Sequence, residues 1–231
     1  MTETILITGA NRGIGLELAH CFSRMEWQVF ACCRQPESAA ALVALERDYP
    51  QLVTLPLDVS AADQITALVQ QLKQHPIDIL FHNAGIFGPK NQAFGEVDEA
   101  WWLETFRINT IAPLKLTEAL VENVAASQRR IVAAMGSQLG SLADNTSGGS
   151  YIYRSSKAAL HMVVRSLAAD LAPRGITSVV FHPGWVKTRM GGAGAQTEAA
   201  HSADALSRLL CQLAPADNGK FFSWKGHEIP W

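Results

Sequence analysis

The chain is poor in every feature that would tie it to nucleic acid, a membrane or a metal. No run of Lys or Arg is longer than Arg129-Arg130 and the formal net charge is −2. It therefore offers no phosphate-tracking surface, and nucleic acid is not an expected partner. No uninterrupted apolar stretch approaches the ~18 residues that a bilayer span requires. The N-terminus enters an apolar run within four residues, without a basic-then-apolar signal layout, so no membrane association and a cytoplasmic location are expected. The four cysteines, Cys21, Cys32, Cys33 and Cys211, form neither a C-x-x-C pair nor a metal-ligand spacing, and the seven histidines are scattered. They read as reduced core cysteines and as histidines that build no metal site.

What remains is a well-patterned globular chain of 231 residues, 48% hydrophobic and 17% charged, with no linker or compositional break. One domain over residues 1–231 is expected. Thr4 to Thr8 is a short apolar-to-small run that suits a strand buried on both faces of a parallel sheet. It leads into Gly9-Ala10-Asn11-Arg12-Gly13-Ile14-Gly15, after which Leu16, Leu18, Ala19 and Phe22 continue at helical spacing. Glycines in a strand-to-helix turn let backbone approach a phosphate, and the helix N-terminus attracts a pyrophosphate. This is the context a dinucleotide site requires.

The next strand, Gln28 to Cys33, ends in Arg34 where a site for NAD tends to place an acid. With Arg12 in the glycine turn as a second cation, the cofactor is expected to be NADP, since a guanidinium suits its 2′-phosphate. A helix from Pro36 to Asp48, a strand from Leu52 to Leu57 closing in Asp58-Val59, a helix from Ala61 to Lys73 and a strand from Ile79 to His82 follow. Asp58 either accepts from an adenine amino group or caps the helix after it. The alternation predicts a doubly wound, Rossmann-type α/β fold with about seven parallel strands and right-handed crossovers.

Beyond Asn83-Ala84-Gly85, one helical stretch is expected from Asp98 to Ala126, kinked at Pro113, with Asn109 satisfying loosened backbone groups through water. A strand from Arg130 to Met135 runs into Gly136-Ser137 and a Gly-, Ser- and Asn-rich loop. The helix after that loop carries Tyr153 and Lys157, four residues apart and so on one face. A phenol ordinarily titrates near ~10, and an adjacent ammonium is expected to lower that value. A strand from Thr177 to Phe181, a Gly-rich lid-like segment from Thr188 to Thr197, a helix from Ala203 to Leu213 and a strand from Lys220 to Trp224 complete the chain.

Taken in order, Thr8-Gly9-x3-Gly13-x-Gly15, Asp58, Asn83-Ala84-Gly85, Asn109, Ser137, Tyr153-x3-Lys157 and Pro183-Gly184 resemble the short-chain dehydrogenase/reductase family. The loop Ala143 to Gly149 and the closing Gly-x-x-Ile-Pro-Trp are similar to its C-factor-like branch of carbonyl reductases. The resemblance implies hydride transfer between NADPH and a small carbonyl or alcohol substrate. Tyr153 would be the general acid, Lys157 would tune it and hold the nicotinamide ribose, Ser137 would donate to the carbonyl oxygen, and Asn109 would anchor a water relay. It further implies cofactor contacts at Gly9, Asn11, Arg12, Gly13, Ile14, Gly15, Arg34, Asp58, Val59, Asn83, Ala84, Gly85, Tyr153, Lys157, Pro183, Gly184, Val186 and Thr188.

Ser137 lies sixteen residues before Tyr153, longer than the usual family spacing, and Ser141 twelve. Ser137 is preferred because it leaves a strand's carboxyl end, where ligands gather. Trp101-Trp102, Cys32-Cys33 and His161 read as packing residues. Phe87, Phe94, Trp185 and Met190 are candidates for an apolar substrate pocket. Leu160, Met162, Val163, Val164 and Leu167 nearly circle their helix, and a homodimer or homotetramer is expected. The rival reading is a protein that keeps the dinucleotide site and signals or scaffolds with little turnover.

Overall fold

Side chains alternate across a strand, so Ile5 and Ile7 of β1 (Thr4–Thr8) point to one face and Leu6 to the other. In the computed structural model, which describes residues 2–73 and 75–231, both faces are covered. Ile5 and Ile7 pack with Leu18 and Phe22 of α1 (Gly13–Arg24), Leu42 of α2 (Ala40–Asp48), and Leu206 and Leu210 of α7 (Ala199–Gln212). Leu6 packs with Leu68 of α3 (Ala62–Leu72) and with Leu116 and Leu120 of α5 (Ala112–Ala125). A strand buried on both faces cannot alternate polar with apolar, which is why these strands read as continuous apolar runs.

The remaining strands are β2 (Gln28–Cys33), β3 (Leu52–Pro56), β4 (Ile79–His82), β5 (Ile131–Met135), β6 (Thr177–His182) and β9 (Phe221–Ser223). They form one seven-stranded sheet in the order β3-β2-β1-β4-β5-β6-β9, with every pair parallel. Strand order reverses between β1 and β4, the crevice where open α/β sheets bind ligands. A small pair, β7 (Val186–Lys187) with β8 (Thr197–Glu198), closes the base of the Gly-rich segment between them.

The expected helix around Asn109 is broken differently from the expectation. α4 (Glu99–Phe106) passes through a π-helical segment, Arg107–Ile111, into α5. Pro113 lies in the first turn of α5, where its missing N–H costs nothing, so the irregularity sits at Asn109 and not at the proline. α6 spans Tyr151–Asp170, and among the described residues no helix is long and apolar enough to cross a membrane.

Candidate active site

The turn after β1 is stapled to the end of β4. Thr8 Oγ1 accepts from both Asn83 N and Ala84 N at 3.0 Å, and Asn83 Nδ2 donates to Thr8 O at 2.9 Å and Gly9 O at 3.1 Å. Gly9 has φ +67°, and a Cβ there would meet Ala84 Cα at 3.0 Å, so the turn accepts only glycine. A Cβ on Gly15 would fall 2.5 Å from Asn83 Nδ2 and from Gly9 O. Asn11 and Arg12 lie between these glycines at the helix entrance, and Ile14 packs onto the core. Thr188 covers the turn, its methyl 3.2 Å from where a Gly13 Cβ would sit.

The cations expected here are joined by one the sequence did not single out. Burial depresses the pKa of Arg12, and the charges of Arg189 and Arg34 add to that, so three guanidinium groups face the turn. Among the described residues none of the three pairs with a carboxylate. Arg189 carried no signal beyond its neighbour Thr188, because nothing local tells that its loop folds back over Arg12.

Asp58 does not cap α3. Its Oδ1 accepts from Ser60 N at 2.9 Å and Ser60 Oγ at 2.7 Å. Burial raises its pKa, but these two bonds and the charges of Arg34 and Arg107 outweigh it and hold the carboxyl below its ordinary range. Val59 follows it on the crevice wall with Thr8, His82 and Ala84.

At the carboxyl ends of β4 and β5 the expected tetrad comes together. Asn109 Oδ1 accepts from Ile86 N at 2.9 Å, while its Nδ2 donates to Ile86 O at 2.8 Å and Ser156 Oγ at 3.0 Å. These side-chain bonds tie the segment after Gly85 directly to α6. A Cβ on Gly85 would lie 3.1 Å from Asn109 Oδ1 and 3.6 Å from Lys157 Nζ. Lys157 Nζ donates to Met135 O at 2.7 Å. That is one acceptor for a buried ammonium with three donors.

The lowered Tyr153 pKa expected from a neighbouring cation is not found. Burial pushes the phenol up to about 12, with the hydroxyl of Ser137 working against it, and burial pushes Lys157 down to about 8. Withdrawal from water penalises both charged forms, and at 5.9 Å from Nζ to the ring centroid the pair attraction does not reverse it. Phe87 lies against Tyr153 with ring centroids 4.8 Å apart. Phe94, Trp185 and Met190 are exposed, Phe94 against Tyr151.

The two serines differ in what they bond. Ser137 Oγ accepts from Leu139 N at 3.2 Å and acts on the Tyr153 phenol. Ser141 Oγ donates to Pro230 O at 2.6 Å and accepts from Asp144 N at 3.1 Å, away from Tyr153. Pro183 O accepts from Ser202 Oγ at 2.7 Å, Gly184 takes φ +85° beneath Trp224, and Val186 is buried in β7.

One supporting residue had no sequence signal. Gln92, buried in the loop between β4 and α4, accepts from Tyr153 N at 2.9 Å and donates to Phe87 O at 2.9 Å and Pro89 O at 2.8 Å. It clamps that loop to the start of α6, and an irregular loop offers no periodicity from which to read this.

The model of the family described as short chain dehydrogenase matches residues 3–199. C-signal of Myxococcus xanthus is 46% identical over 156 residues, 68% of this chain and 93% of that protein. Among solved structures, carbonyl reductase Sniffer of D. melanogaster superposes with a TM-score of 0.93 at 34% identity, covering 100% of both chains. The NADPH-bound carbonyl reductase from chicken fatty liver gives 0.91 at 32% identity, covering 100% of this chain and 99% of that one. The chain belongs to the short-chain dehydrogenase family, on the branch of C-signal and the carbonyl reductases.

Proposed function

We propose that this protein is an NADPH-dependent carbonyl reductase. The observation that carries the reading is the convergence of Tyr153, Ser137 and Lys157 at the sheet's carboxyl edge, beside Arg12, Arg34 and Arg189, which form no ion pair among the described residues. The NADPH-bound chicken relative supports the choice of cofactor. The residues fit that group. Arg12 and Arg34 take the 2′-phosphate, the glycine turn admits the pyrophosphate to the start of α1, and Lys157 has donors to spare for the nicotinamide ribose.

NADPH, when bound, supplies the hydride to the carbonyl carbon. Tyr153 donates its phenolic proton to the carbonyl oxygen. A phenol pushed up to about 12 stays protonated at neutral pH and so holds a proton to give. Ser137 donates a second hydrogen bond to that oxygen, its own oxygen being occupied by Leu139 N–H. Asn109 holds the π-helical segment against α6 and anchors a water relay to Lys157.

The protein works in the cytoplasm as a homo-oligomer, pairing through the faces that carry exposed Leu103, Ile111 and Met162. The second reading, an NADP-binding signalling protein, rests on the 46% identity to C-signal. A screen of NADPH oxidation with small aldehydes, ketones and quinones tests the first. Turnover of any of them supports the reductase, and NADPH binding without turnover across the panel favours the signalling reading.

A further inference from the structure

His161 lies on α6 one turn beyond Lys157 and is 3% exposed. Its Nε2 accepts from Ser137 N at 3.4 Å. Gly136, just before Ser137, and Gly140, three residues after it, are pressed onto the same ring. A Cβ on Gly136 would fall 2.5 Å from Nε2, and one on Gly140 would fall 2.7 Å from Cε1. The imidazole thus lines the inside of the turn that carries Ser137, and together with Val180 and Lys157 it leaves room only for glycine at 136 and 140.

The other faces of the ring are packed by the closing segment of the chain. Phe221 and Trp231 lie 4.5 and 5.7 Å away between ring centroids, and stack on each other at 5.4 Å. The same segment holds the far end of the serine turn, through Pro230 O with Ser141 Oγ and Trp231 O with Leu142 N. Burial, with the charge of Lys157 acting the same way and the Gly140 backbone working against it, pushes His161 down to about 3, so the ring is neutral and Nε2 accepts in the tautomer that leaves the buried Nδ1–H without a hydrogen-bond partner among the described residues. Packing alone would be served as well by Leu or Phe, which cannot receive the Ser137 N–H.

We propose that His161 is a positioning residue for Ser137, fixing through its backbone N–H the direction in which the serine hydroxyl meets the substrate. The inference rests on the carbonyl reductase reading. It also explains how a turn longer than the family's usual spacing holds its serine in place: the ring supports it from below and the closing segment from behind.

The test uses the full-length chain with His161→Leu and His161→Gln, each alone and combined with Ser137→Ala. Gln brings a carbonyl oxygen to the reach of Nε2. His161→Leu is expected to lower kcat about tenfold, the scale of one lost hydrogen bond, with KM for NADPH within twofold. His161→Gln restores most of the loss. In the Ser137→Ala background His161→Leu costs less than twofold, since no hydroxyl is left to position. An equal loss in both backgrounds, or no rescue by Gln, overturns the inference and leaves His161 a packing residue. Amide hydrogen exchange gives a readout independent of turnover. His161→Leu is expected to speed exchange at Ser137 while α1 and α3 stay protected, and unchanged protection at Ser137 overturns the inference. Should the wild type turn over no carbonyl, the proposed function falls while the exchange result still decides the role of His161.

Discussion

The Nζ of Lys157 stands 5.9 Å from the centre of the Tyr153 ring, with both residues buried and no carboxylate paired with the ammonium among the described residues. Four-residue spacing on a helix brings them together, yet burial governs their protonation: the phenol holds its proton harder than in water and the ammonium holds its own less hard. The pair is a protonated phenol beside a costly buried charge.

That charge makes stability depend on pH. The pKa of Lys157 falls from 10.5 to about 8 on folding, so between those values the unfolded chain binds more protons and stability rises with pH. Below about 8 the whole penalty applies, up to about 3 kcal/mol at 1.36 kcal/mol per unit. Lys157→Met is therefore expected to be more stable than wild type at pH 7, with the difference shrinking from pH 8 to 10. Urea unfolding at several pH values checks it, and a difference that does not change with pH counts against a buried charged lysine. The same variant is expected to bind NADPH more weakly.

Tyr153→Phe removes one hydroxyl and, in the proposed mechanism, the proton it gives to the substrate. Turnover is expected to fall by ~10²–10⁴-fold, the usual worth of a positioned acid, while NADPH affinity and thermal stability stay close to wild type. Steady-state kinetics with direct NADPH titration separates the two effects. Turnover like the wild type in this variant removes Tyr153 from the mechanism.

Arg12→Ala with Arg34→Ala is expected to weaken NADPH binding by about two orders of magnitude, since charge-assisted contacts are worth ~1.5–3 kcal/mol each and these are partly exposed. NADH binding should change little. Titration of both cofactors at fixed salt is the measurement, and equal affinities in the wild type show the arginines to be ordinary surface residues.

Gln92→Leu leaves three main-chain groups, Tyr153 N, Phe87 O and Pro89 O, without the partner that holds them. Unsatisfied buried groups cost ~1–3 kcal/mol each, and water reaching the loosened loop offsets part of it. A drop of about 2 kcal/mol in unfolding free energy is expected, with faster proteolysis between Ile86 and Val97. Stability within 0.5 kcal/mol of wild type, a margin typical of surface changes, contradicts a clamping role.

Sedimentation at micromolar concentration is expected to give a dimer or tetramer, and Met162→Lys to shift it toward the single chain. Met162 is 65% exposed on α6, so a charge there harms association without touching the core. A wild type that sediments as the 25.1 kDa chain alone excludes the oligomer.

The sequence by itself determined the layers and the order of the site along the chain. Strand and helix periods are local properties, so continuous apolar runs such as Thr4–Thr8, the glycine turn that follows, and the Tyr153-x3-Lys157 pair could be read without neighbours. Even there, the π-helical segment at Asn109 was missed, since Pro113 drew the irregularity to itself although it sits harmlessly in the first turn of α5. The tertiary structure alone decided everything that depends on what surrounds a side chain. It brought Arg189 to Arg12, gave the Ser141 hydroxyl to Pro230, and set Gln92 under Tyr153 and His161 under Ser137. It also reversed the expected direction of the Tyr153 pKa. Spacing along a helix tells which groups are near each other, but the cost of a charge depends on how much water every other element has removed, and that sum exists only once the chain has folded.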